Sequence, residues 1–371
     1  MSPGKKKVVV VGPVYPYKGG ISHYTGLLVR ALGERFDVHA ISYSMQYPRL
    51  LFRMEQRDYD NDSFKVEAEF ILNTASPISI IKTAKRINSL KPELVIIQWW
   101  HPYFAPCYRI LTAGLNSKVM FICHNVFPHE RFVLDRFLTK LTLKKGDFFI
   151  LHSKREVSEL KSIIKNPQYG VNMHPTYGAF DFSGAGVEKS PGRTLLFFGF
   201  VRPYKGLKYL LEAMTYLDAD IRLLVVGDFG NDRESYDKQI EELGIRNRLE
   251  IHDEYVPDKQ VEIYFKSCDA VVLPYIDATQ SGIAQIAFGF KKPVIATDAG
   301  GLPEVVTDGV TGMICKSADS RALAKAINRF YELKTEVDFA GNIEKDSRRF
   351  SWEQLVDTIV DVAFKQGDFI S

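Results

Sequence analysis

Residues 269–306, DAVVLPYIDATQSGIAQIAFGFKKPVIATDAGGLPEVV, constrain this chain more than any other stretch. An apolar run, Ala270 to Leu273, opens it and a second, Pro293 to Thr297, closes it, with a helix-length segment from about Gly282 to Phe290 between them. That is one strand, helix, strand unit of a parallel sheet, and it predicts an α/β architecture. The turn entering the helix, Ala278-Thr279-Gln280-Ser281-Gly282, is small and polar, as a helix start with free amides requires. At the carboxyl edge of a sheet such a start attracts anions, because its N–H groups and the helix dipole point the same way.

Upstream, Thr194 to Phe200 reads as a buried strand, and Val201-Arg202-Pro203-Tyr204-Lys205-Gly206 leads into a helix from Leu207 to Leu217. Arg202 and Lys205 therefore follow a strand end, where a parallel sheet presents its ligand crevice. Taken together, Gly199, Arg202, Lys205 and Gly206, then SGI before a helix, then PVIAT and GGLPEVV, resemble the carboxyl-terminal domain of glycosyltransferase family 4. Those are retaining, nucleotide-sugar-dependent enzymes of GT-B fold. The resemblance implies two Rossmann-like parallel-sheet domains facing each other across a cleft, with a last helix crossing back to the first domain.

The resemblance also assigns roles. Arg202 and Lys205 match the pair that grips the donor diphosphate, and with His124 they form the expected catalytic set. Donor binding is expected at Gly19, Gly20, Gly199, Gly227, Tyr255, Val256, Asp277, Thr279, Gln280, Ser281, Gly282, Ile283 and Gln285. One departure stands out. The family carries a Glu, seven residues and a second Glu across this turn and helix; here the two registers place Ala278 and Ile286, or Asp277 and Gln285, at those positions. Gln285 is the candidate substitute for the second Glu, which contacts the donor ribose in the family.

With 371 residues, 46% hydrophobic and 25% charged, the chain is long enough for two folded domains. Its net charge of +3 is too mild to argue for nucleic acid. Cys107, Cys123, Cys268 and Cys315 form no CxxC pair, so reduced thiols in the cytoplasm are expected. Lys5-Lys6-Lys7 and the apolar run after it break at Gly12-Pro13, too early for a signal peptide. No run approaches the roughly 20 apolar residues that span a bilayer, so any membrane contact is expected to be peripheral.

Along the first half, Lys7 to Val11 is a strand and Gly12 to Gly20 a loop feeding a helix from Ile21 to Leu32. The Gly19-Gly20 pair lets backbone approach a phosphate or sugar, although it also suits a plain tight turn, and the GxGxxG dinucleotide spacing is absent. Residues 44–73 show no clear period and read as a lid or acceptor-binding insert. Asp58-Tyr59-Asp60 there imitates an Asp-x-Asp metal motif, but such triplets arise by chance and no metal is expected. The strand Leu94 to Gln98 ends in Trp99-Trp100, whose rings, with Tyr17, suit either sugar stacking or core packing. His124 follows the strand Lys118 to Cys123, similar to the family's histidine against the donor sugar.

Residues 131–144 read as a helix with Arg136, Lys140 and Lys144 on one face, a pattern open to contact with anionic lipid at the inner face of a membrane or to plain solvation. The expected division is an acceptor-side domain over 1–172, a linker over 173–193, a donor domain over 194–350 and a returning helix over 351–371, with Trp352 near the crossing. The function expected is transfer of a hexosyl group from a UDP- or GDP-sugar to a glycan or lipid-linked acceptor without cofactor. A catalytically inactive binding partner and a nucleotide-sugar 2-epimerase are the alternatives.

Overall fold

The computed structural model describes residues 5–48, 55–59, 64–128, 133–176, 192–278 and 281–365. The chain divides into two units, one of residues 1–175 and 350–371 and the other of residues 176–349.

In the first unit the strands are β1 (Lys7–Val11), β2 (Asp37–Met45), β3 (Ala68–Asn73), β4 (Leu94–Trp99), β5 (Lys118–Cys123), β6 (Phe148–Leu151) and β7 (Gln168–Val171). They form one sheet in the order β3-β2-β1-β4-β5-β6-β7, with every pairing parallel. Val8 to Val11 and Leu94 to Ile97 are almost wholly buried, because a parallel sheet is covered on both faces and its central strands read as unbroken apolar runs. The covering helices are α1 (Gly20–Gly33), α2 (Pro77–Leu90), α3 (Ala105–Ala113), α4 (Asp135–Leu143) and α5 (Lys154–Lys161).

The second unit has β8 (Arg193–Phe198), β9 (Ile221–Val226), β10 (Leu249–His252), β11 (Ala270–Leu273), β12 (Val294–Thr297) and β13 (Gly312–Cys315). Again all are parallel, in the order β10-β9-β8-β11-β12-β13. Its helices are α6 (Leu207–Met214), α7 (Arg233–Leu243), α8 (Asp258–Ser267), α9 (Gly282–Gly289), α10 (Leu302–Val305), α11 (Ser320–Leu333) and α12 (Phe339–Asp346). In each sheet the chain runs outward from one central strand and then returns to its other side. The strand order thus reverses between β1 and β4 and between β8 and β11, and such reversals leave a crevice at the carboxyl ends of the strands.

The last helix, α13 (Trp352–Ala363), belongs to the first unit. It buries Leu355, Val356, Ile359 and Val362, and packs so closely on β7 that a Cβ at Gly170 would lie 2.5 Å from Thr358 Cγ2. The Trp352 ring stands 5.0 Å from that of Tyr24 on α1.

Besides β13 and the short α10, three elements differ from the sequence expectation. Ala68–Asn73, taken as part of a loop, is an edge strand with only Leu72 fully buried, so it carries no apolar run. Gln168–Val171, where sequence reading assigned no strand, is the opposite edge strand and has no fully buried residue. Phe339–Asp346 forms a helix that sequence reading left out, since only Phe339 and Ile343 are buried. Residues 177–191 of the expected linker, Asp60 of the Asp-Tyr-Asp triplet, and Thr279 and Gln280 lie outside the described residues.

Candidate active site

In the second unit the loops leaving β8, β9, β11 and β12 shape the crevice. Gly199 leaves β8 with φ +95° and hydrogen-bonds through its N–H to Val226 O at 2.9 Å. Gly227 leaves β9 with φ +145°, and a Cβ on it would fall 2.2 Å from Gly199 O. Only glycine tolerates both that conformation and that approach. The loop from β8 is laced to the exit of β11: Ile276 N–H donates to Tyr204 O at 2.8 Å, and a Cβ on Gly206 would meet Pro274 O at 2.1 Å.

Lys205 ends a short 3-10 turn, Pro203–Lys205, and is 8% exposed. A point one bond above Gly199 Cα lies 3.1 Å from Lys205 Nζ and 3.5 Å from Ile283 Cδ1, so the ammonium adjoins the first turn of α9. No carboxylate among the described residues pairs with it. Burial first, and the positive charge of Arg202 second, push its pKa down to about 8. A buried, unpaired cation costs free energy in the empty protein and holds an anion strongly when one arrives.

Helix α9 completes the cradle. Ser281 caps it, with Oγ accepting from Ala284 N–H at 3.4 Å. The amides of Gly282 and Ile283 have no acceptor among the described residues. The preceding turn is fixed from β12: Thr297 Oγ1 donates to Tyr275 O at 2.6 Å, and Gly300, at φ +52°, approaches so closely that a Cβ would sit 1.5 Å from Ala278 O. One turn into α9, Gln285 is fully buried, and neither its amide oxygen nor its amide nitrogen has a partner.

Arg202 is half-buried. Its Nη1 donates to Val201 O at 2.9 Å, its guanidinium lies 5.5 Å from the Phe200 ring centre, and a Cβ on Gly230 would be 3.5 Å from Nη1. Phe200 in turn stands 6.3 Å from Tyr255, next to the buried Val256. The arrangement joins Lys205, Ser281, Gly282, Ile283 and the glycines closely, with Arg202, Tyr255 and Val256 grouped beside Phe200. Asp277 lies in the turn after β11 and makes an interaction of its own there.

His124 sits in the first unit, after β5, and is 7% exposed. Burial and the neighbouring His152 and His174 hold its pKa well below the usual range. The imidazole is neutral, so with Nε2–H donating to Gln98 Oε1 at 2.7 Å its Nδ1 is left as an acceptor. Such a group orients a hydroxyl rather than supplying a proton. Tyr24 packs against His124, His152 and His174 with ring centres 4.5, 5.7 and 4.9 Å away. Sequence reading missed this cluster because its members come from α1 and from three successive strand ends.

Gly19, at φ +99°, begins α1 with no side-chain cap, and a Cβ on it would meet nothing within 4 Å, so conformation alone requires glycine there; Gly20 is the first residue of the helix. Of the three aromatics expected on the acceptor side, Trp99 and Tyr17 are buried in the core and Trp100 is half-buried. Trp99 is fully buried with Nε1 donating to Val126 O at 3.3 Å, because it is still the last residue of β4. Tyr17 is 4% exposed and donates to Tyr43 O at 2.9 Å. Trp100 is half-buried against Phe104, ring centres 4.2 Å apart, with Nε1 on Tyr47 Oη at 3.2 Å.

Two parallel-sheet units, each with a strand-order reversal, are the architecture this chain shares with solved GT-B glycosyltransferases. Residues 182–349 match the family described as glycosyl transferases group 1. An uncharacterized glycosyltransferase of Methanocaldococcus jannaschii is 26% identical over 365 residues, covering 94% of this chain and 95% of that protein. A D-inositol 3-phosphate glycosyltransferase of Geodermatophilus obscurus is 31% identical over 180 residues, 45% of this chain and 39% of its own length. Among solved structures, sucrose-phosphate synthase from Thermosynechococcus elongatus superposes with TM-score 0.73 at 17% identity, covering 98% of both chains. Anabaena HepE in complex with UDP-glucose superposes with TM-score 0.72 at 17% identity over 96% of this chain and 99% of its own. The chain is a glycosyltransferase.

Proposed function

We propose that the protein transfers a hexosyl group from a UDP- or GDP-sugar to a glycan or lipid-linked saccharide, with retention at the anomeric carbon, in polysaccharide or glycoconjugate synthesis. The observation that carries this reading is Lys205: a buried ammonium with no carboxylate partner among the described residues, adjoining the first turn of α9 at the reversal between β8 and β11. HepE, of the same fold, was solved with UDP-glucose, which supports a nucleotide-sugar donor.

As the bond from the anomeric carbon to the β-phosphate oxygen breaks, negative charge grows on the diphosphate. Lys205, Arg202 and the amides of Gly282 and Ile283 hold that charge. No carboxylate serves as nucleophile; the acceptor oxygen attacks on the face the diphosphate leaves, and the diphosphate takes its proton. Gln285 offers its unsatisfied amide to the donor ribose, and His124 Nδ1 accepts from a sugar hydroxyl. In this scheme two side-chain cations do the work of a metal, so turnover persists in EDTA.

The four cysteines are free, which suits a reducing, cytoplasmic compartment, and contact with the inner face of a membrane would bring a lipid-linked acceptor within reach. Thermal stabilisation by UDP, GDP and their sugars identifies the base, since a ligand of the native state raises its melting point. Arg202→Ala and Lys205→Ala are each expected to lower turnover ~10²- to 10³-fold with the fold intact, as loss of one preorganised donor does. Near-normal rates in both variants would refute the assignment.

A further inference from the structure

Helix α4 is built inside out for a helix that faces only water and its own unit. Its inner face carries Asp135 at 3% exposure and Thr139 and Thr142 at 0%, beside Leu143. Thr142 Oγ1 donates to Ala105 O on α3 at 3.3 Å, while the buried Thr139 hydroxyl has no partner. Outside, Leu134 is 57%, Phe137 63% and Leu141 39% exposed, and Val133 just before the helix is 97% exposed. At 100° per residue, Phe137 and Lys144 occupy the middle of that outer face, with Leu134 and Leu141 along one flank and Arg136 and Lys140 along the other.

The cations there are under-used by the protein. Lys140, Lys144 and Lys145 pair with no carboxylate among the described residues, and the helix's one carboxylate, Asp135, faces inward. The nearest later acid, Asp147, is held by Lys118 at 2.9 Å. Arg136 donates to Ser162 O at 3.1 Å, which fixes that edge of the face to the fold.

We propose that this face of α4 docks on an anionic lipid surface, Leu134, Phe137 and Leu141 entering the interface while Lys140, Lys144 and Lys145 meet the headgroups. A bilayer boundary takes apolar side chains about 5–10 Å deep and pairs cations along the same face, which is the chemistry on offer. A second copy fits worse, because a two-fold contact sets the same surface against itself and would bring both sets of lysines together. Among the described residues no helix is long and apolar enough to cross a membrane, so the contact is peripheral. The proposal rests on α4 alone and stands whether or not the sugar-transfer reading does.

Cosedimentation of the full chain with vesicles of phosphatidylcholine alone, and with about a third phosphatidylglycerol, tests it without any turnover assay. The chain is expected to pellet with the anionic vesicles only, less so as salt rises. Phe137→Ser with Leu141→Ser should weaken binding at least ~10-fold. Lys140→Gln with Lys144→Gln should weaken it roughly 20-fold, near fivefold per charge. Both double variants should keep the wild-type circular dichroism and melting point, since the changed side chains are exposed. Failure of the wild type to bind anionic vesicles, or binding indifferent to both pairs of substitutions, would overturn the proposal. So would a lipid-free dimer that Phe137→Ser dissolves, which would assign the face to a second copy.

Discussion

Lys205 sets two opposed quantities. As a buried cation without a carboxylate partner it burdens the empty protein, so Lys205→Met is expected to raise the melting temperature by a few degrees while removing most turnover, the usual conflict at a strained site. Calorimetry beside an activity assay checks both halves. Its pKa near 8 lies below the unfolded value of 10.5, so between those limits the unfolded chain binds the extra proton and this residue's contribution to stability rises with pH. Anion binding runs the other way: UDP affinity should fall as pH passes above about 8, and titration calorimetry at pH 7 and 9 reads the difference. The histidines govern the acid side. Burial lowers His152 to about 4 and His174 to about 3, from 6.5, so the unfolded state takes up protons first as pH falls below 6.5. Their stability is present above that value and drains away toward pH 3 to 4, at up to about 1.4 kcal/mol per pH unit for each ring. Glu156, raised to about 8 by burial, opposes them: it stays protonated in the fold, and its contribution falls as pH rises from 4.5 to 8. Glu156→Gln should therefore flatten the fall in stability between pH 4.5 and 8, and an unchanged slope across that window would contradict it. The site lysine was legible because a strand end and a following glycine mark it. His124 was legible too, by its place after a strand, but its company was not, since His152 and His174 look ordinary until adjacent strands bring them beside it.

Between residues and the whole stand the turns that hold α9 in place. Gly300 supports the turn before that helix at a distance no side chain tolerates, with a Cβ 1.5 Å from Ala278 O and φ at +52°. Gly300→Ala should cost on the order of 2–4 kcal/mol and weaken UDP binding with it, because backbone rather than a flexible side chain must yield. Denaturant unfolding and calorimetry on one preparation test the coupling; loss of stability with unchanged affinity would separate the two. The strand, turn, helix order of the second unit could be read from sequence, since central parallel strands are continuous apolar runs bounded by glycine. The edge strands of the first sheet could not: Ala68–Asn73 and Gln168–Val171 bury one side chain and none, so they lack the period that marks a strand. Trp99 shows the same limit. It follows an apolar run and looks like a platform beyond it, yet it is the strand's last residue and points into the core.

At the scale of the molecule, the first unit is finished by a helix that comes after the second. Helix α13 supplies Leu355, Val356, Ile359 and Val362, worth roughly 1.5–3 kcal/mol each when fully buried, a sum comparable with the stability of an ordinary domain. It adds an Arg35–Asp357 ion pair at 2.6 Å and the packing of Phe364 on Phe36, ring centres 5.4 Å apart. A chain ended after Arg349 should lose hydrogen-exchange protection throughout β1, β4, β6 and β7 while β8, β9, β11 and β12 keep theirs; equal loss in both sets would mean the units do not unfold separately. The order of the segments also has a consequence during synthesis. At the usual 5–20 residues per second, a ribosome needs on the order of ten to thirty seconds to make the second unit, and through that interval the first waits with its α13 groove bare. The nascent chain is therefore at its most exposed to chaperones and proteases late in translation, and slow codons in that stretch would lengthen the wait.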